Sequence, residues 1–89
     1  SPAKEFAKTH KVDDVVNAKV IDVKDFGVFV KIDEMEALIR NDDIYPLKKD
    51  EIVSGQEIEC VITHIDEENN KVRASIKRLE RQRENYTWR

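Results

Sequence analysis

The chain lacks the covalent and metal links that often hold a small protein together. Among its 89 residues there is one cysteine, Cys60, so no internal disulfide can form. His10 and His64 have no cysteine partners with which to build a structural zinc site. Apolar runs such as Val28–Phe29–Val30 fall far short of the ~20 residues a membrane helix needs, and the N-terminus carries no signal-peptide pattern. A reducing, cytoplasmic setting is therefore the expectation. The chain does not begin with methionine, which suggests processing or, foremost, a segment cut from a longer polypeptide. Its length allows one domain, which at this size buries only about 60–65 % of its unfolded surface. The core must be thin.

An excess of positive charge is also missing. Sixteen Lys and Arg stand against nineteen Asp and Glu, for a net charge of −3, which taken alone argues against a nucleic-acid partner. The distribution tells a different story. Residues 1–31 carry +1, residues 32–70 carry −9, and residues 71–89 carry +5. Charges more than about 8 Å away are largely screened at physiological salt, so position matters more than the total.

Ser1-Pro2 reads as an N-cap with proline at the first helical position, predicting a short helix over Ala3–Thr9. Phe6 is its one large apolar contact, and so short a helix must lean on something. Val16, Ala18 and Val20 then alternate with polar residues, and Val23 falls out of phase, which predicts a strand with a bulge near Ile21–Asp22. Val28, Val30 and Ile32 mark a second strand, and Ala37–Ile39 a short third. Asn41–Ser54 has no sustained period and contains Pro46, so it is a long connection with room for a helical turn. Ile58, Cys60 and Ile62 mark a fourth strand. After the polar turn Asp66–Asn70, the alternation of Val72, Ala74 and Ile76 marks a fifth that runs to Lys77. Leu79, Arg83 and Tyr86 fall near one face of a tail helix, expected to project from the domain with light packing.

Five short strands suit an all-β, closed barrel, because closure removes edges that so small a protein cannot cover. The SH3-like barrel competes, and the long connection between strands three and four favours an OB-fold barrel, five-stranded and antiparallel with short flanking helices. The domain is expected over residues 11–77, with 1–10 a connector and 78–89 a charged tail.

The informative residues face away from the core. Phe29 lies on the same side of its strand as Gly27 and Lys31, and Phe26 sits at the strand's start. A bend at Gly27 would bring the two rings together as a base-stacking platform, worth ~1–3 kcal/mol per base with little sequence preference. From composition alone the simpler reading is a ring that plugs an open end of the barrel. Lys71, Arg73 and Lys77 share one face of the last strand; near the second strand they would hold phosphates, and otherwise they form a solvated face. Arg40, at the end of the third strand, offers a guanidinium for stacking or phosphate contact. Cys60 is most simply a core residue, and the acids at Asp42, Asp43, Asp50 and Glu51 lack the spacing of a calcium loop. No nucleophile stands with a base and an orienting group, so no catalysis, cofactor or metal is expected.

Val16-Asn17-Ala18-Lys19-Val20, Asp25-Phe26-Gly27-Val28-Phe29-Val30, Glu36-Ala37-Leu38-Ile39-Arg40, His64-Ile65-Asp66 and Lys71-Val72-Arg73-Ala74-Ser75-Ile76-Lys77 together resemble the S1 RNA-binding domain over roughly Lys11–Lys77. The Phe-Gly-x-Phe-Val core and the closing x-Ser-Ile-Lys strand carry most of the specificity. The resemblance implies an OB barrel whose RNA surface uses Phe26 and Phe29 as stacking rings, with Arg40, Asp66 and Lys71 around them. Family members usually have histidine where Arg40 stands, glycine where Ala18 and Ala37 stand, and often arginine where Lys71 stands. The flanks Ser1–His10 and Ser75–Leu79 resemble the joints between repeats of the family's ribosomal members. That implies one non-catalytic repeat of a tandem array, holding single-stranded mRNA on the small ribosomal subunit beside neighbouring repeats. The alternatives are a repeat that docks onto protein through its acidic middle, or an accessory RNA-gripping domain of a ribonuclease or polynucleotide phosphorylase.

Overall fold

A computed structural model of the chain describes residues 1–87. Helix α1 (Pro2–Thr9) is followed by strands β1 (Val15–Lys24), β2 (Gly27–Ile32) and β3 (Met35–Arg40). Two single-turn 3-10 helices, Asn41–Asp43 and Lys49–Glu51, lie in the long connection, which passes through a cis Tyr45–Pro46 bond. Strands β4 (Glu57–Asp66) and β5 (Lys71–Ser75) follow, and helix α2 (Ile76–Thr87) ends the described chain. The expected tail helix therefore exists as far as Thr87, and its last two residues lie outside the described region.

The strands close into a barrel in the order β1-β2-β3-β5-β4. All pairs are antiparallel except β3 with β5, which run parallel with Leu38 opposite Arg73. The barrel is thus mixed rather than wholly antiparallel, because β3 and β5 are joined by a crossover through β4 and not by a hairpin. Alternation fills the interior: Val20, Val28, Val30, Ile32, Ala37, Ile39, Ile58, Cys60, Ile62, Val72 and Ala74 are buried in one cluster. The register of β1 against β2 slips between Val20 and Asp22, where Val23 falls out of phase in the sequence.

The helices complete the core. Ser1 Oγ accepts from the Lys4 backbone N–H at 3.3 Å and caps α1. Its buried face, Ala3 and Phe6, joins the barrel cluster, so the short helix is held by tertiary packing. At its C-terminal end the His10 ring stacks on Phe6, with centroids 3.9 Å apart, and Nε2 lies 2.7 Å from Asp33 Oδ2 in the β2–β3 turn. At the other end of the chain, β5 stops at Ser75, earlier than the alternation suggests. The buried Ser75 hydroxyl accepts from the Arg78 backbone N–H at 2.9 Å and donates to Asp43 Oδ1 at 2.8 Å. It caps α2 and ties it to the long connection. Ile76 and Leu79 are buried at the start of α2, which packs on β4. This helix packs more firmly than its charged sequence suggests, while Tyr86 projects.

Gly27 fixes how closely β2 approaches β3. A Cβ there would lie 2.4 Å from the Ile39 carbonyl oxygen and 3.0 Å from the Arg40 Cα, both backbone atoms. Gly27→Ala must push the strands apart, and a loss of about 1–3 kcal/mol in urea or thermal unfolding is expected; a wild-type midpoint would contradict this packing. Burial pushes the Cys60 thiol up to about 11. The native protein at pH 8 should therefore resist alkylation by iodoacetamide and react once urea unfolds it; rapid native labelling would contradict its placement in the core.

Candidate nucleic-acid interface

Outward-facing residues of β2, β3 and β5 meet across the barrel wall in cross-strand rungs. The central rung runs Phe29, Leu38, Arg73, with His64 of β4 beyond. On one side lies the rung of Lys31 and Glu36, and on the other that of Gly27 and Arg40. Phe26 sits in the β1–β2 turn, one residue before Gly27, and is 55 % exposed. Its ring meets Phe29 edge to face, with centroids 5.7 Å apart. Two rings at odd spacing share one face because Phe26 belongs to the turn rather than to the strand.

These rings open onto a groove of about 600 Å³ lined by Pro2, Phe26, Phe29, Glu34, Met35, Glu36, Ala37, Leu38, Asn70, Lys71, Val72 and Arg73. Of the seven residues singled out in the sequence, the groove gathers four: Phe26, Phe29, Lys71 and Arg73. Lys31 and Arg40 flank it on the neighbouring rungs, both exposed. Asp66 lies outside it, in register with Lys71 at the start of the β4–β5 hairpin. Its Oδ1 accepts from the Asn69 backbone N–H at 3.1 Å and its Oδ2 from Asn69 Nδ2 at 2.8 Å. Those bonds, the side-chain one foremost, with the nearby Lys71 charge, hold its carboxyl below the usual carboxylate range. Asp66 shapes the hairpin that delivers Lys71. Lys77, expected beside Lys71 and Arg73, lies in α2, because the Ser75 cap turns the chain into a helix before it.

Several contributors are not evident from the sequence. Leu38 is half-buried between Phe29 and Arg73 and forms the apolar floor; its sign is an apolar residue in the outward phase of β3. Asn70, at a positive φ of 56°, accepts the Ala3 backbone N–H at 2.8 Å and so brings Pro2 to the groove wall. Lys49 Nζ donates to the carbonyls of Lys24 and Asp25, both at 2.9 Å, and to Asn41 Oδ1 at 3.0 Å, beneath the turn that carries Phe26. No local signal distinguishes Lys49 from Lys48.

The charge of the groove is two-sided. Lys71 and Arg73 stand on β5, whereas Glu34 and Glu36 stand toward the β2–β3 turn. Among the described residues, no salt bridge engages Lys31, Arg40, Lys71 or Arg73. An aromatic pair beside an apolar floor and a cationic strand can stack planar groups and hold anions next to them.

A family model described as the S1 RNA binding domain matches residues 9–77. Over 84 residues the chain is 57 % identical to small ribosomal subunit protein bS1 of Helicobacter pylori, a match that covers 94 % of this chain and 15 % of that protein. It is also 38 % identical, over 81 % of its length, to a stretch forming 9 % of a 4-hydroxy-3-methylbut-2-enyl diphosphate reductase of Fusobacterium nucleatum. The chain therefore spans a small fraction of the curated relatives it matches. Among solved structures, a chain in the a/eIF2alpha-aDim2p-rRNA complex from Pyrococcus horikoshii shares the fold with a TM-score of 0.72 at 19 % identity, over 89 % of this chain and 51 % of that one. With the family model spanning the whole barrel and a relative more than half identical along nearly the full length, the chain belongs to the S1 RNA-binding domain family.

Proposed function

We propose that the chain is a non-catalytic module that grips single-stranded RNA along the β2–β3–β5 groove. The observation that carries this reading is the Phe26–Phe29 pair, 5.7 Å apart, opening onto the groove that Lys71 and Arg73 line. Bases stack on the rings and over Leu38, and phosphates follow β5, where the cations stand and the carboxylates of Glu34 and Glu36 do not. Lys31 and Arg40 extend the cationic rim on either side of the rings, and Asp66 serves by holding the hairpin. The barrel of residues 11–77 carries the binding surface, 1–10 is a connector whose helix packs on the barrel and brings Pro2 to the groove, and 78–89 is a tail.

The 57 % identity to bS1 supports placing the module as one repeat of a ribosomal protein of that kind. Its role there is to help hold mRNA on the small ribosomal subunit in the cytoplasm, beside neighbouring repeats of the same chain. A single repeat with one short groove binds weakly, and an array gains from effective concentration.

A protein-docking role has an observation of its own. A second groove of about 290 Å³, lined by Pro46, Leu47, Ile58, Ile76 and Leu79 and rimmed by Glu57, Glu80 and the Glu59–Arg83 ion pair, lies along β4 and α2. That site belongs to a different side of the barrel from the aromatic pair, so the two roles separate by mutation.

Fluorescence anisotropy with labelled poly-pyrimidine RNA tests the reading. Phe29→Ala should weaken binding by at least about 5-fold, the lower end of one lost base stack. Normal binding by that variant would favour the docking role. Affinity should fall with salt, and Lys71→Ala should reduce the slope of log K against log salt by about 0.7, one phosphate contact on a single strand. A salt-independent affinity would overturn the phosphate assignment.

A further inference from the structure

Phe26 stands on a two-residue turn and is more than half exposed, yet its ring holds a defined edge-to-face position on Phe29. Such a ring would ordinarily sample several rotamers and turn conformations, and RNA would have to order it on binding. What fixes the turn comes from the connection after β3. Lys49 is half-buried, and its ammonium spends all three of its donors on the Lys24 carbonyl, the Asp25 carbonyl and Asn41 Oδ1. Asn41 Nδ2 donates to the same Asp25 carbonyl at 2.7 Å, and the Asn41 backbone N–H donates to the Phe26 carbonyl at 3.2 Å. Three consecutive carbonyls, those of residues 24, 25 and 26, are thus held from below by two residues. Charge-assisted bonds are the stronger kind, so the ammonium is the larger part of this clamp.

We infer that Lys49, with Asn41, is a positioning residue for RNA: it touches no RNA itself and fixes the turn that presents Phe26. The inference rests on the proposed stacking role of Phe26. It follows that the acidic middle segment, which looks unfavourable for a polyanion, supplies one cation whose work is internal.

The test is a double-mutant cycle in the 89-residue chain, read by anisotropy with labelled oligo-pyrimidine RNA and by ring-proton NMR. Lys49→Met should weaken binding about 3- to 10-fold, the penalty of ordering one side chain and its turn on binding. The salt slope should stay unchanged, and the Phe26–Phe29 ring contacts should be lost from the NMR spectrum. Lys48→Met, which removes the same charge from an exposed neighbour, should stay within about 2-fold of wild type. In a Phe26→Ala background Lys49→Met should have no further effect. Asn41→Ala is the second variant, expected to act in the same direction and less strongly, should Lys49→Met fail to fold. Additive losses, a smaller salt slope, or wild-type binding by Lys49→Met would overturn the positioning role. If Phe26→Ala itself binds normally, the stacking assignment of Phe26 fails instead, and the positioning role falls with it.

Discussion

Closure of the barrel between β3 and β5 is the constraint on which the rest of the structure depends. A chain of this length cannot cover exposed sheet edges, and joining the two remaining edges leaves none. The closing pair, Leu38 opposite Arg73, does more than seal the wall. It places an arginine of the last strand beside an apolar residue of the third, which itself stands opposite Phe29 of the second. The same contact that completes the core therefore assembles rings, floor and cations from strands far apart in the chain.

Around that seam, the remaining elements act as supports. Gly27 lets β2 and β3 approach, since even a methyl group would meet the Ile39 carbonyl. The Asp66 and Asn70 side chains shape the β4–β5 hairpin, and Asn70 couples it to α1. Ser75 ends β5 with a hydroxyl that both caps α2 and reaches Asp43 in the long connection. Asn70 and Ser75 each accept a backbone N–H at a helix N-terminus, and among the described residues no buried side-chain nitrogen or oxygen is left without a partner.

Much of this is legible in the sequence where a residue's neighbours along the chain determine its state. The alternation in β1, β2 and β4 predicts their inner faces, the phase slip at Val23 predicts the bulge, and the outward Phe29 marks the groove. What stays hidden depends on distant partners. The parallel pairing of β3 and β5 leaves no local pattern. Ile76 alternates correctly for a strand and is indeed buried, but from a helix, because the Ser75 cap competes with further pairing. Val61 sits in the polar phase of β4 and is nonetheless fully buried, on a strand against which α2 packs. Lys49 reads as one charge among many, since only the fold brings its ammonium to the carbonyls of a turn more than twenty residues earlier.

The net charge of −3 is then a sum over faces with different surroundings. Three glutamates and one arginine rim the groove along β4 and α2, cations line β5, and one lysine of the acidic segment is spent on backbone carbonyls of the β1–β2 turn. The central claim is that the β2–β3–β5 wall, and no other, meets RNA. An amide NMR titration of the chain with a short single-stranded RNA tests it residue by residue. The account predicts that the largest shifts fall at Phe26, Phe29, Leu38, Lys71 and Arg73, with Glu57–Glu59 and Leu79 nearly unmoved. Shifts concentrated at Leu47, Ile58 and Leu79, with none at the two phenylalanines, would contradict it.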